Sequence, residues 1–210
     1  CNFEGDLIIP GSVSSIGNCA FADSKFGGSL ILSDGLKSIG DEAFKRDNFK
    51  GNLIIPTSVL EIGRSAFETS NFSGKLVILE GLKTIGDRAF ARSYGFTGSL
   101  IIPQSVENIG DYAFLSCEGF NGDLVIKGES TNIGKGAFKY CGGFNGELIL
   151  PDGLSHIGES AFEDCSGFTG ELKLPDGISI IETATFSGCK GFTGDLVIPE
   201  RVTHIEAYAF

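Results

Sequence analysis

Methionine is absent from the 210 residues, histidine occurs twice, and there is no run of 18 apolar residues. The last absence excludes a transmembrane helix, which needs about 20 such residues. Basic side chains are scarce: 16 Lys and Arg stand against 27 Asp and Glu, a net charge of −11. A chain so balanced lacks the basic face that sequence-independent binding to nucleic acid or anionic lipid requires. With no Met and no leader pattern ahead of its opening CNFEGDL, the chain reads as a piece of something longer, its targeting segments lying elsewhere. Length alone allows one or two globular domains. The charge is unevenly placed. Residues 1–105 hold 11 acidic and 10 basic side chains, whereas residues 106–210 hold 16 and 6.

What is present is one phrase, repeated. Aligned on F-x-G-x-L-x-I-P-x-x-V-x-x-I-G-x-x-A-F, it starts at Phe3, Phe26, Phe49, Phe72, Phe96, Phe120, Phe144, Phe168 and Phe192. The first three repeats have 23 residues, the next five 24, and the ninth stops after 19. All 18 Phe fall in two columns and all six Pro in one. The Leu column from Leu7 to Leu196 and the Ile column from Ile16 to Ile205 have no exception. Self-similarity at this period is the signature of a solenoid.

Each phrase holds a period-2 segment, Leu-x-Ile, most often closed by Pro. Period 2 with β-branched residues reads as a strand, and Pro ends it because it cannot donate to a ladder. Short strands recurring in one direction pair in parallel with their copies, so the chain coils, one repeat per turn. At about 4.8 Å between paired strands, nine turns make a rod roughly 40 Å long. A single repeat buries too little to fold alone, and stability belongs to the array. The repeat is too short for a long helix as well as its turns. The pattern predicts little helix, with a second short extended or 3₁₀ segment around IGxxAF.

The phrase Leu-x-Ile-Pro-x-x-Val-x-x-Ile-Gly-x-x-Ala-Phe-x-x-Cys resembles the BspA-type leucine-rich repeat, and the resemblance covers the whole chain. It implies a right-handed leucine-rich-repeat solenoid, mostly β, in one domain spanning 1–210. It also implies an extracellular or cell-surface setting and adhesion to host proteins or other cells. Two departures stand out: GFTG replaces the commoner opening Leu-x-x, and the Cys column is only partly filled.

Candidate chemistry lies in columns. Cys1, Cys117, Cys141, Cys165 and Cys189 share one, which Ser24, Asp47, Ser70 and Ser93 occupy elsewhere. Zinc needs ligands converging on one ion; cysteines on successive turns form a line. Disulfides between neighbours or a row of small buried thiols are the readings left. Cys19 is off-column, expected to be exposed and open to reaction. His156 and His204 share a column two turns apart, roughly 10 Å at the strand spacing. No recurrent carboxylate or nucleophile adjoins them, so no catalytic site and no cofactor are expected.

The residue before the invariant Leu points outward. Its last four occupants, Asp123, Glu147, Glu171 and Asp195, are acidic on adjacent turns: a calcium site, a landing strip for a basic partner, or a solvated face. Between Leu and Ile lies a second outward column: Ile8, Ile31, Ile54, Val77, Ile101, Val125, Ile149, Lys173 and Val197. Strand propensity favours Ile and Val, yet a continuous exposed stripe approaches the patch size that marks an interface. The stripe is the leading candidate for contact with a protein partner or a second copy. The tripeptide Asn71-Phe72-Ser73 is a glycosylation candidate at Asn71.

Neither end carries an atypical capping repeat. Two more residues would join the last phrase to the first, so the array is expected either to be truncated at both ends or to stack into fibres. A surface adhesion module and a filament-forming structural protein are therefore the two functional expectations.

Overall fold

The computed structural model describes residues 3–210. They form a parallel-strand solenoid of about nine turns, with no helix among the described residues and therefore none long and apolar enough to cross a membrane. Two series of strands alternate. The first comprises the Leu-x-Ile segments: β1 (Leu7–Ile9), β3 (Leu30–Leu32), β5 (Leu53–Ile55), β7 (Leu76–Ile78), β9 (Leu100–Ile102), β11 (Leu124–Ile126) and β13 (Leu148–Ile149). The second comprises two-residue strands just before the phrase's second Gly: β2 (Ser15–Ile16), β4 (Ser38–Ile39), β6 (Glu61–Ile62), β8 (Thr84–Ile85), β10 (Asn108–Ile109) and β12 (Asn132–Ile133). Towards the C-terminus, β14 (Ile180–Ile181) and β15 (His204–Ile205) continue this series as a separate pair.

The continuous sheet is the second series, not the Leu-x-Ile series. Strands β2 to β12 join in register as six parallel strands, while the longer strands fall into the groups β1–β3, β5–β7 and β9–β11–β13. Proline sets the breaks. Where the residue after the strand is Ser33, Leu79 or Lys127, its N–H donates to Ile9, Ile55 or Ile102 of the preceding turn at 3.1 Å. Where Pro56 or Pro103 stands there, no donor exists, and no pairing joins β3 to β5 or β7 to β9. Pro151, Pro175 and Pro199 act alike: β13 is cut to two residues, and the corresponding segments of the last two turns form no strand. Where it stands, proline thus ends the strand, and at Pro56 and Pro103 it also severs that strand from the turn before, while β13 keeps a shortened pairing with β11.

A third hydrogen-bond ladder runs along the turns. On one rung the N–H groups of Glu42, Phe44 and Arg46 donate to the carbonyls of Arg64, Ala66 and Glu68 at 2.8, 2.8 and 2.9 Å. Glu42 and Arg46 have φ of 55° and 58°, and equivalent residues repeat this from turn to turn. Left-handed backbone costs about 1–2 kcal/mol for a non-Gly residue, and the bond to the next turn offsets it. The residue added in the 24-residue repeats is always Gly. A Cβ on Gly143 would lie 1.9 Å from the Glu118 carbonyl oxygen, and one on Gly119 would lie 2.1 Å from that of Tyr94.

Inside, Leu and Ile of both strand series surround the two phenylalanine columns in one continuous core. Rings on successive turns stack with centroids 4.8–5.8 Å apart and planes 1–21° from parallel. Twelve Phe are fully buried, and stacked pairs add about 0.5–1.5 kcal/mol each beyond area burial. The repeat spacing of the rod is therefore read directly from its rings.

Candidate interaction surface

The residue between Leu and Ile of each first-series strand faces solvent, as the period-2 pattern requires. Ile8, Ile31, Ile54, Ile101, Ile149 and Val197 are 43–68% exposed, while Val77 and Val125 are half-buried. Their inward neighbours contrast sharply: Leu53, Ile55, Leu100 and Ile102 are fully buried. Lys173 interrupts the stripe on the eighth turn, and its Nζ lies 2.9 Å from Asp152 Oδ1 on the turn before.

Two acidic columns flank the C-terminal part of the stripe. One is Asp123, Glu147, Glu171 and Asp195, two residues before each stripe residue. Its chemistry has a structural component. Asp6 Oδ1, Asn52 Oδ1, Ser99 Oγ and Asp123 Oδ1 each accept the backbone N–H of the corresponding residue on the next turn, at 2.7–3.0 Å. Short polar side chains in this column thus bridge rungs, and Asp123 is one of them. Glu147, Glu171 and Asp195 are exposed to solvent. Among the described residues no three acidic, His or Cys side chains come together as a metal-binding group, these four included.

The second acidic column, Asp152, Asp176 and Glu200, follows the proline on turns seven to nine and is also exposed. Its sequence signal is weak because it lies one residue beyond the proline that closes the period-2 segment, outside the alternating pattern. Two shallow depressions open on the stripe. One of about 270 Å³ lies between turns eight and nine, bounded by Leu172, Leu174, Val197 and Pro199 with Glu171, Lys173 and Asp176 at its rims. The other, about 300 Å³, is formed by Val77, Ile78 and Ile101, with Lys75 and Ser99 beside it. A third cavity of about 320 Å³ lies against the last turn, where Phe186, Phe192 and Phe210 edge the core.

The cysteine column is interior. Cys117, Cys141 and Cys165 are fully buried, Cys189 is half-buried, and all four are free thiols. Each Sγ donates to the Phe carbonyl oxygen of the preceding turn: Phe90, Phe114, Phe138 and Phe162, at 3.0–3.1 Å. Burial pushes the Cys141 and Cys189 thiols up to about 12 and those of Cys117 and Cys165 well above their ordinary value. They stay protonated and serve as donors. Ser70 and Ser93 fill the same slot and donate to Phe44 and Phe67 at 2.8 Å. Cys1, placed in this column by the repeat, lies outside the described residues. Cys19 is exposed and free.

Asp47 occupies the slot with a different group. It is fully buried; its Oδ1 accepts the Lys25 N–H at 2.9 Å, and its Oδ2 has no partner among the described residues. Burial raises its carboxyl to about 6; the Lys25 and Ser24 N–H groups oppose the rise and the Asp23 charge adds to it.

His156 and His204 are exposed and stand two turns apart, without a recurrent partner. Asn71 is exposed, and its Nδ2 donates to Asn48 Oδ1 at 2.9 Å. Ion pairs such as Lys83–Glu107 and Lys135–Glu159 link neighbouring turns at the surface, where each contributes little.

The family model for the BspA type leucine rich repeat region matches residues 1–121 and 120–210, in six copies. Among solved structures, the pneumococcal vaccine antigen PcpA superposes with a TM-score of 0.57 at 22% identity, over 97% of this chain and 58% of that one. The chain thus spans little more than half the length of that antigen. A leucine-rich repeat protein from Bacteroides ovatus is similar at 24% identity and a TM-score of 0.48, over 94% of this chain and 67% of that one. A leucine rich cell surface protein from Faecalibacterium prausnitzii gives 20% identity and 0.43, over 98% and 70%. At 22% identity the likeness to PcpA is one of fold. Comparison with curated proteins finds no match.

Proposed function

The chain belongs to the BspA-type leucine-rich repeat family, and from that premise we propose that it is a non-enzymatic protein-binding module of an extracellular or cell-surface protein. The observation that carries this reading is the apolar stripe: six Ile and Val side chains, 43–68% exposed, in one column along the solenoid face, interrupted by Lys173. Large apolar rows held in water mark contact surfaces, and a rod with a regular core presents them without ordering cost on binding. This face of the solenoid thus serves as a preorganised docking surface for a protein on a host or neighbouring cell.

Binding rather than catalysis is supported by the chemistry of the columns. The thiols are buried and protonated, and the two histidines stand apart on the surface. That a structurally similar protein is a vaccine antigen supports the surface setting.

The test is attachment of fluorescently labelled protein to cultured epithelial cells, scored by flow cytometry. The double variant Ile54→Lys, Ile101→Lys should lose at least tenfold in half-saturating concentration while keeping the wild-type circular dichroism and melting curve. Saturable attachment that is unchanged in the variant would remove the stripe from the interface.

A further inference from the structure

We propose that the C-terminal half of the stripe seats a cationic amphipathic α-helix of the partner, lying along the rod axis with its apolar side down. The inference rests on the docking reading above and specifies the occupant. Spacing supplies the first argument. Successive rungs are marked by ring stacks 4.8–5.8 Å apart, and an α-helix advances about 5.4 Å per turn. One apolar residue per helical turn therefore meets one stripe residue per rung. An extended strand, whose same-side residues recur at about 6.6–6.8 Å, falls out of step within three rungs. Turns six to nine accommodate about three helical turns, or roughly 11 residues.

Charge supplies the second argument. On turns seven to nine the stripe runs between two exposed acidic columns, Glu147 to Asp195 on one side and Asp152 to Glu200 on the other. Lys or Arg on both flanks of a helix meets both columns, and its apolar ridge meets the stripe. The depression between turns eight and nine, apolar between Leu174 and Val197 and edged by Glu171 and Asp176, matches an aliphatic anchor with cations beside it. The N-terminal half offers no such pairing: its corresponding depression has Lys75 and Ser99 beside it and no carboxylate, whereas the lysine lining the C-terminal one, Lys173, is paired with Asp152. A second copy of this chain is a poor occupant, since residues 106–210 carry 16 acidic and 6 basic side chains and would face their own charge. Lys173 already shows the local preference, for its ammonium reaches out of the stripe to Asp152.

The test uses a fluorescein-labelled 14-residue helical peptide with Leu on one side and Lys on both flanks. Binding is read by fluorescence anisotropy at low and physiological salt, against a scrambled peptide of equal composition. The wild-type chain should bind the amphipathic peptide at least tenfold more tightly than the scrambled one, with affinity falling as salt rises. The triple variant Glu171→Gln, Asp176→Asn, Glu200→Gln should weaken binding at least tenfold and flatten the salt dependence. Lys173→Val, which completes the stripe and frees Asp152, should tighten it severalfold; Tyr94→Ser, exposed and away from the stripe, should change nothing. Equal binding of the scrambled peptide, or an undiminished affinity in the triple variant, overturns the helix proposal. So does a reversible dimer, seen by sedimentation velocity, that Ile149→Lys dissociates and the peptide fails to disrupt. Each of those results leaves stripe-dependent cell attachment standing as a separate finding.

Discussion

Replacing Asp47 by Ser should stabilise the N-terminal rungs at neutral pH and do little at pH 4. In the slot that Asp47 fills, Ser70, Ser93 and four cysteines each donate to a Phe carbonyl one turn back. The carbonyl at the equivalent place for Asp47 belongs to Phe21. A carboxylate cannot donate to it, whereas a carboxylic acid can. The native carboxyl sits at about 6 against an ordinary 3.8, so between those values the folded chain holds a proton that the unfolded chain has released. Stability from this group is therefore complete below pH 4, declines as pH rises, and is lost above pH 6. Two pKa units correspond to about 3 kcal/mol. With the Asp23–Arg46 pair nearby at the surface and water close to the outer turns, about 1–2 kcal/mol is the expected size. Serine supplies the donor without a charge. At pH 7.5 the melting temperature should rise by about 2–8 °C, at 2–4 °C per kcal/mol for a chain this long, and the rise should shrink towards zero at pH 4. Asp47→Asn, which also offers a donor, should behave alike. A gap between wild type and variant that is independent of pH, or a variant less stable at pH 7.5, would refute the reasoning.

Three further outcomes follow from the same structure. Cys141→Ser should be tolerated, because a hydroxyl fills this slot on earlier turns, while Cys141→Val should cost about 1 kcal/mol for the lost donor; under native conditions a thiol reagent should label Cys19 and leave Cys117, Cys141 and Cys165 untouched until denaturant is added. Pro103→Leu restores the missing N–H opposite Ile78, so a new slowly exchanging amide and stronger protection of β7 and β9 are expected in hydrogen exchange. Phe114→Ala removes a fully buried ring stacked between Phe90 and Phe138 at 5.1 Å on either side, and urea titration should show a loss of about 3–5 kcal/mol.

Much of the fold was legible because the repeat enforces it. Two Phe columns, one Leu and one Ile column leave a single coil that can bury them, and the stacked rings lie where the alignment sets them. The division of labour between the two strand series was less legible. Leu-x-Ile has the stronger strand pattern, yet its ladder depends on an N–H that the proline column removes, and the two-residue strands ending at Ile16, Ile39 and Ile62 hold the continuous sheet instead. The left-handed turn residues carry no common residue type, with Glu42, Ser65, Arg88 and Tyr112 all at positive φ, so composition does not mark them.

On the surface, the apolar stripe and the first acidic column followed from alternation. The second acidic column and the bridging role of Asp123 depend on how turns stack, which a linear reading of one repeat does not reveal. Asp47 stood in the alignment beside its Ser and Cys counterparts; its missing partner is visible only once the Phe carbonyls on the preceding turn are in place.

The most direct measurement is a side-chain oxidation footprint of the chain bound to cells, compared with the free chain. If the stripe is the docking surface, Ile54, Ile101 and Ile149 should be shielded on binding, while Tyr94 and Tyr140, away from those strands, keep their free reactivity. Shielding of the tyrosines with the stripe left fully reactive would contradict the assignment of function to this face.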